Sequence, residues 1–142
     1  ILDQGMVAAV QWLAEDFERR TGVPTQVRTS SQTIEAPNAV QLVAYRTAQE
    51  ALTNISKYAN SSQVRIDLSD SEGVLTLEVS DNGQGLEPAA LDKPKAFGLK
   101  GLQERALTVN GWLDISGSPG HGTSVILSVP LGSVASATGE TQ

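Results

Sequence analysis

The sequence predicts an α+β two-layer sandwich, in which a mixed β-sheet is covered on one face by about three helices. Three segments carry apolar residues at helical spacing, and five short segments have the β-branched and alternating character of strands. Their order along the chain is helix, strand, helix, two strands, loop, helix, two strands. Strands that occur in runs separated by helices favour this fold.

The three predicted helices differ in how clearly they are marked. In the first, Met6, Val10, Leu13 and Phe17 recur at steps of three and four, and Gly22 lies beyond its end. The second opens near Pro37, and a weaker third covers residues 102–109. The predicted inner stripe of the second helix consists of Val40, Ala44, Thr47, Ala51, Ile55 and Tyr58.

The strands are predicted from alternation and from turn residues. Segments 64–68 and 74–79 predict a hairpin whose turn includes Ser71, Glu72 and Gly73. Segment 26–29 is a short strand, and segments 112–115 and 123–129 flank a turn at residues 117–120. Glycines and prolines interrupt residues 83–101, where we expect a mobile loop. Residues 132–142 are small and polar and predict a loose tail.

Composition limits the possible functions. A chain of 142 residues fits one domain, which we assign to residues 1–131 with a lead-in helix in 1–24. The formal net charge of -6 argues against a nucleic-acid partner. The chain has no cysteine, no apolar run long enough to cross a bilayer and no signal-type start. Because it begins with Ile1, we expect an excised piece of a longer protein.

One face of the second helix collects polar side chains. Arg46, Glu50, Asn54 and Lys57 follow one another at steps of four, four and three. One interpretation is a solvated face with an Arg46–Glu50 ion pair. The other is a cation site, because Asn is a poor residue inside a helix and Mg²⁺ accepts an amide oxygen as a ligand.

Asp81 begins a glycine-containing segment at the end of the second hairpin strand. An Asp-Asn-Gly sequence is ordinary turn chemistry, which is one interpretation. Alternatively, Gly83 and Gly85 let the backbone approach a ligand while Asp81 accepts a hydrogen bond from an amino group such as that of adenine. A dinucleotide fingerprint is excluded because Pro88 stands where its third glycine belongs, and the chain has no phosphate-binding P-loop.

Two further glycine segments flank the third helix and the last strand. Gly98, Leu99, Lys100, Gly101 and Leu102 either mark a plain helix start or present backbone N–H groups and a lysine to phosphate. The only histidine, His121, stands between two glycines before Thr123, and we interpret it as a solvated loop residue.

Taken together, four segments resemble the ATP-binding domain of bacterial sensor histidine kinases, within the wider ATPase group of gyrase, a chaperone family and mismatch-repair proteins. They are RTAQEALTNISKYA, DNGQGL, GLKGLQERA and GHGTSV, in the order of the family's N box, two glycine boxes and terminal Gly-x-Gly-Thr. The first and third are most similar to the subfamily of nitrate and membrane-fluidity sensors. The resemblance covers roughly residues 1–131.

The resemblance implies a site for ATP and Mg²⁺. Asn54 would ligate Mg²⁺, Glu50 would polarise a water or the attacking group, and Asp81 with Thr123 would bind the adenine amino group. Residues 86–97 would form the lid over the triphosphate. The implied cofactor-binding residues are Asn54, Lys57, Tyr58, Asp81, Gly83, Gly85, Leu86, Gly98, Leu99, Lys100, Gly101, Leu102 and Thr123, with Glu50 and Asn54 as the catalytic pair.

The resemblance also implies partners and a location. We expect a cytoplasmic domain, monomeric in isolation, that works with its own dimerisation domain and a response regulator, in a homodimeric inner-membrane sensor. The phosphoacceptor histidine is absent, so the fragment is not expected to phosphorylate itself. Tyr58 replaces the subfamily's usual histidine, and a phenol does not titrate near neutrality. Two alternatives are an anti-sigma-type serine kinase and an ATP-binding module without transfer activity.

Overall fold

The computed structural model describes residues 5–56, 63–83, 99–117 and 122–131. Three helices and five strands are defined in this part of the chain. In chain order they are α1 (Met6–Thr21), β1 (Thr25–Thr29), α2 (Asn38–Asn54), β2 (Val64–Ser71), β3 (Val74–Asp81), α3 (Leu99–Thr108), β4 (Trp112–Gly117) and β5 (Thr123–Pro130).

The five strands form one mixed sheet in the order β1-β2-β3-β5-β4. Strands β1 and β2 are parallel, whereas the β2–β3, β3–β5 and β4–β5 pairs are antiparallel. Strand β3 is therefore the central strand, with two neighbours on each side. The predicted α+β sandwich with a mixed sheet is confirmed.

The helices cover one face of this sheet. Along β3, Leu75, Leu77 and Val79 are buried while the residues between them are partly exposed, as a half-buried strand requires. Leu77 is directly paired with Leu68 on one side and Leu127 on the other, and none of the three is exposed to solvent. Helix α1 packs against β1, α2 against β3 and β5, and α3 against β4. The core thus lies between one helical layer and one sheet face.

Helix α2 buries the stripe that its spacing predicts. Val40, Ala44, Thr47, Ala51 and Ile55 are all buried, and Thr47 satisfies its hydroxyl by donating to the carbonyl oxygen of Val43 at 2.8 Å. Such a bond to the preceding turn is the usual way to bury a threonine in a helix. Tyr58, the last predicted member of the stripe, lies outside the described residues.

Helix α1 ends as its sequence predicts, but later than its apolar stripe. Gly22 adopts the left-handed conformation with φ of 76°, and its N–H donates to the Glu18 carbonyl oxygen at 2.8 Å. Asp16, one turn earlier, accepts hydrogen bonds from Arg20 and Arg19 of the last turn. The bond from Arg20, more than the charge of Arg19, lowers the pKa of the Asp16 carboxyl.

Two predicted boundaries are corrected. The β2–β3 turn is tighter than expected, because Ser71 is still paired with Val74 and only Glu72 and Gly73 connect the strands. Both have positive φ, at 54° and 79°, which is the geometry of a two-residue hairpin with the twist of its strands. Helix α3 begins at Leu99 rather than at residue 102, so the glycine segment there is partly helical.

Three expectations stay predictions. The lid at 86–97 and the tail at 132–142 lie outside the described residues, and the domain limits of 1–131 are not tested. No helix in the described part of the chain combines the length and apolar character that spanning a membrane requires.

The Glu72 conformation leads to a stability prediction. A left-handed conformation costs most L-residues roughly 1–2 kcal/mol, and asparagine tolerates it better than glutamate. We expect Glu72→Asn to raise the free energy of unfolding by up to roughly 1 kcal/mol in urea denaturation. Glu72→Gln is the matched control, because it removes the same charge and keeps the strain. Equal stability of the two variants would contradict this interpretation of the turn.

Candidate functional site

A buried carboxylate ends the central strand. Asp81 is the last residue of β3, and its side chain follows Val79 in the row that faces the helices. It is only 8% exposed, and among the described residues only Thr47 and Asp81 are buried polar or charged residues. Burying a carboxylate is unfavourable unless hydrogen bonds compensate, so this position calls for specific partners.

The turn after β3 supplies one of these partners. The N–H of Gly83 donates to Asp81 Oδ1 at 2.7 Å. On the other side, the Asn82 side chain accepts a hydrogen bond from the N–H of Gln63 at 2.9 Å, while the Asn82 N–H donates to the Gln63 carbonyl oxygen at 3.2 Å. The Asp-Asn-Gly sequence is therefore a structured turn that holds the carboxylate. The turn interpretation and the ligand interpretation of this segment are compatible.

Thr123 lies directly opposite Asp81 on β5. The two residues are Cα partners at the end of the β3–β5 ladder. Both Asp81 Oδ2 and Thr123 Oγ1 are inaccessible to solvent, and within the described residues the Thr123 hydroxyl has no hydrogen-bond partner. A buried hydroxyl left in this state costs about 1–3 kcal/mol, and such groups are most often explained by strain, a missing water or a ligand.

Gly122 lets the backbone come close to Asp81. It has φ of 83°, and a Cβ at this position would overlap the main-chain oxygen of Asp81 and lie 3.2 Å from Asn82 Cα. Gly117 is similarly restricted, since its Cβ would lie 2.6 Å from the Gly122 carbonyl oxygen. The ends of β3, β4 and β5 therefore approach one another more closely than any side chain at these positions would permit.

Glu50 and Asn54 are half-buried on the C-terminal half of α2. Since α2 packs against β3 and β5, it covers the sheet face on which the Asp81 and Thr123 side chains lie. The Arg46–Glu50 ion pair of the solvated-face interpretation is wrong, because within the described chain these two side chains form no ion pair. Arg46 itself is exposed, as that interpretation expects. The solvated-face interpretation loses its main interaction.

The donor set limits how a metal ion could be held. The described part of the chain contains no group of three or more His, Cys, Asp or Glu side chains suited to a metal ion. Asn54 and Glu50 together offer hard oxygen donors, which suit Mg²⁺ only if most of its ligands are phosphate and water.

Helix α3 changes the interpretation of the second glycine segment. Leu99, Lys100, Gly101 and Leu102 form its first turn, where four N–H groups have no partner within the helix. The Leu102 side chain is 2% exposed and belongs to the core, so only its main chain can face a ligand. A Cβ on Gly101 would meet no atom of the described residues within 4 Å, so packing does not demand glycine there.

Several predicted site residues lie outside the described residues. These are Lys57, Tyr58, Gly85, Leu86 and Gly98, as are the side chains of Leu99 and Lys100. His121 is also outside them, so its interpretation as a loop residue stays a prediction.

Asn82, Gly117 and Gly122 are not among the site residues predicted from the sequence. Gly122 belongs to the terminal Gly-x-Gly-Thr motif, which the sequence does show. The sequence does not show why glycine is required there, because the close approach of Gly122 to Asp81 depends on which strands are neighbours. The same holds for Asn82, whose partner Gln63 lies 19 positions away along the chain.

The Gly122 geometry predicts an unequal cost of three glycine substitutions. We expect Gly122→Ala to lower the free energy of unfolding by roughly 2–4 kcal/mol, because conformational strain and overlap add. Gly22→Ala, with positive φ but open space, should lose roughly 1–2 kcal/mol, and Gly101→Ala in a helix should lose nothing. Chemical denaturation measures all three. If Gly122→Ala were no worse than Gly22→Ala, the close approach to Asp81 would be refuted.

Comparison with known protein families agrees with this geometry. Residues 39–133 match the family described as Histidine kinase-, DNA gyrase B-, and HSP90-like ATPase. This range contains all of α2 except Asn38, including Glu50 and Asn54, and both members of the Asp81–Thr123 pair.

Two curated relatives cover almost the same length. The chain is 30% identical over 129 residues to the signal transduction histidine-protein kinase/phosphatase DegS of Brevibacillus brevis, covering 91% of this chain and 33% of DegS. It is 36% identical over 129 residues to the oxygen sensor histidine kinase NreB of Staphylococcus carnosus, covering 91% of this chain and 37% of NreB. The chain thus spans about a third of the length of these relatives.

Solved structures show the same fold. The histidine kinase domain of a blue-light activated histidine kinase from Erythrobacter litoralis has a TM-score of 0.71 at 22% identity, over 89% of this chain and 65% of that one. A second structure of this kinase has a TM-score of 0.73 at 21% identity, over 86% and 40% of the two chains. With the matched range covering most of the chain, the protein belongs to the family of histidine kinase-, DNA gyrase B- and HSP90-like ATPases.

Proposed function

We propose that this chain binds Mg-ATP and donates the γ-phosphate to a histidine on the dimerisation domain of a two-component sensor kinase, for relay to a response regulator. The observation that carries the proposal is the buried Asp81 carboxylate at the end of the central strand, opposite the buried hydroxyl of Thr123. The parent would be a homodimeric sensor of the inner membrane, with this domain in the cytoplasm.

The adenine end of the site would be built from β3 and β5. Asp81 Oδ1 is held by the Gly83 N–H, so Asp81 Oδ2 can accept a hydrogen bond from the adenine amino group. Thr123 supplies a hydroxyl beside it, and Gly122 contributes no side chain that would obstruct the approach. Gly83 and Gly85 are proposed to give room for the purine.

The phosphate end would be built from α2 and the start of α3. Asn54 would contribute an amide oxygen to Mg²⁺, which when bound neutralises charge on the phosphates. The N–H groups of the first turn of α3 point along the helix axis toward its N-terminus, where an anion is stabilised. Lys57, Tyr58, Leu86, Gly98 and Lys100 are proposed to line this end, and residues 86–97 to cover it.

Transfer would depend on positioning more than on covalent chemistry by this chain. Glu50, on the same helix face as Asn54, would accept a hydrogen bond from the attacking imidazole N–H and so orient its other nitrogen toward the γ-phosphate. The absence of an Arg46–Glu50 ion pair in the described chain supports this role, because the carboxylate is not neutralised by that neighbour.

The relatives favour histidine as the acceptor. Both are named as histidine kinases, which supports this proposal over an anti-sigma-type serine kinase. An ATP-binding module without transfer activity would show the same binding but yield no phosphohistidine. Phosphotransfer to the dimerisation domain therefore separates these hypotheses.

Asp81→Asn tests the nucleotide site. Because the Gly83 N–H requires an acceptor, the amide oxygen of the variant would face Gly83 and its NH₂ group would face the adenine amino group. Two donors would then oppose each other, so we expect ATP binding to become undetectable by isothermal titration calorimetry. Asp114→Asn, at an exposed position on β4, should bind like the unsubstituted chain. Unchanged affinity in Asp81→Asn would refute the site.

Substitutions of Glu50 and Asn54 should affect Mg-ATP binding and phosphate transfer differently. We expect Glu50→Gln to bind Mg-ATP within about threefold of the unsubstituted chain and to lose about 10²-fold or more in transfer rate. Asn54→Ala should lose the dependence of binding on Mg²⁺. The measurement combines calorimetry with phosphohistidine formation on the dimerisation domain, using radiolabelled ATP. Gln49→Ala, exposed on the same helix, is the control. Normal transfer by Glu50→Gln would remove Glu50 from the mechanism.

A further inference from the structure

The β2–β3 ladder ends in a mixed pair of hydrogen bonds immediately beyond Asp81. Val64 and Asp81 are Cα partners, so the next pair outward is Gln63 and Asn82. In a regular antiparallel ladder, two such residues exchange both main-chain N–H to carbonyl bonds. Here the Asn82 N–H donates to the Gln63 carbonyl oxygen at 3.2 Å, but the Gln63 N–H donates to Asn82 Oδ1 at 2.9 Å. The Asn82 side chain therefore takes the place of its own main-chain carbonyl.

This substitution lets the chain leave the strand without breaking the last pair. An asparagine side chain can mimic a main-chain acceptor and tolerates turn conformations, so it suits this position. The main chain then turns, and the buried Gly83 presents its N–H to Asp81 Oδ1 at 2.7 Å. The bond from Gly83 thus depends on a turn that Asn82 anchors to β2.

The orientation of the Asp81 carboxylate follows from that turn. With Oδ1 tied to Gly83, rotation of the carboxylate about its last bond is restricted. A second close contact comes from Gly122, whose missing side chain lets β5 approach the Asp81 main chain. Asp81 is therefore fixed from β2 through Asn82 and from β5 through Gly122.

We propose that Asn82 is a positioning residue, which sets the orientation of the Asp81 carboxylate and so determines the preference for adenine over purines without a 6-amino group. The inference rests on the proposed function, since it takes ATP as the ligand. Asn82 would act through Asp81 and would not need to touch the nucleotide.

The test compares ATP with inosine triphosphate, which has an oxygen in place of the 6-amino group. The measured quantity is the dissociation constant for inosine triphosphate divided by that for ATP, both obtained by calorimetry on the whole chain with Mg²⁺. A larger ratio means a stronger preference for ATP. We expect Asn82→Ala to reduce this ratio by at least fivefold, because it removes the acceptor for the Gln63 N–H. Asn82→Asp keeps an acceptor oxygen at the same position, so its ratio should stay within twofold of that of the unsubstituted chain.

Ser30→Ala is the matched control for a general loss of stability. At the opposite end of β2, the Ser30 hydroxyl oxygen accepts from the Asp70 N–H at 3.2 Å, so this variant also removes a side-chain acceptor from a main-chain N–H. Ser30→Ala should lower the melting temperature by a few degrees, as Asn82→Ala does, and leave the ratio unchanged.

Asn82→Gly, which also removes the acceptor, serves as a second variant in case Asn82→Ala does not fold.

The possible outcomes separate this inference from the proposed function. If the unsubstituted chain binds neither nucleotide, or binds both equally, the adenine site itself fails and the inference with it. If the chain prefers ATP and Asn82→Ala or Asn82→Gly keeps the full preference, the positioning role is overturned while the proposed function stands. If neither Asn82→Ala nor Asn82→Gly folds although Ser30→Ala does, Asn82 is a structural residue and the inference is also overturned. A ratio that falls in Asn82→Ala but is kept in Asn82→Asp supports the inference.

Discussion

The structure depends on one constraint, which is the burial of a carboxylate at the end of the central strand. Leu75, Leu77 and Val79 carry β3 through the core, and the next residue on that face is Asp81. A charged group there is tolerated only where hydrogen-bond donors surround it. The Gly83 N–H is one such donor, and the turn, the close approach of β5 and the buried Thr123 hydroxyl are all arranged around the same carboxylate.

The rest of the domain supports this arrangement at a distance. Strand β3 is central, so its position is determined by ladders on both sides, and its core-facing row packs under α2. Because Glu50 and Asn54 lie on the helix that covers β3 and β5, packing of the core also determines the height of these polar groups above the sheet. A rigid core thus holds two sets of candidate site residues that are far apart in sequence.

Much of the fold follows from local patterns in the sequence. The spacing of Val40, Ala44, Thr47, Ala51 and Ile55 predicts which face of α2 is buried, and alternation predicts the β2–β3 hairpin. Local chemistry also explains the two places where the prediction from sequence was wrong or incomplete. Glycines at 98 and 101 suggested a break, whereas Gly101 is accommodated in the first helical turn, where few helical hydrogen bonds are at stake. Glu72 gave no sign of a left-handed conformation, since nothing about glutamate favours one.

The candidate site is only partly readable from the sequence, for a physical reason. Asp81 could be found because it ends an alternating strand and opens a glycine segment. The roles of Asn82 and Gly122 depend on strand neighbours that periodicity does not determine, namely β2 on one side of β3 and β5 on the other. The parallel pairing of β1 with β2 is likewise a tertiary property, since the two strands are separated by all of α2.

The central claim is that the nucleotide binds on the helix-covered side of the sheet, at the Asp81 end of β3. Amide chemical-shift changes on addition of Mg-ADP test it most directly. We expect the largest changes at the Asp81 end of the sheet, namely at Asp81, Gly83, Gly122 and Thr123. Smaller changes should occur along the C-terminal half of α2, and none at Ser30 and Asp70 at the far end of β2. Changes concentrated on the uncovered face, around Arg28, Asp67 and Ser128, would contradict it.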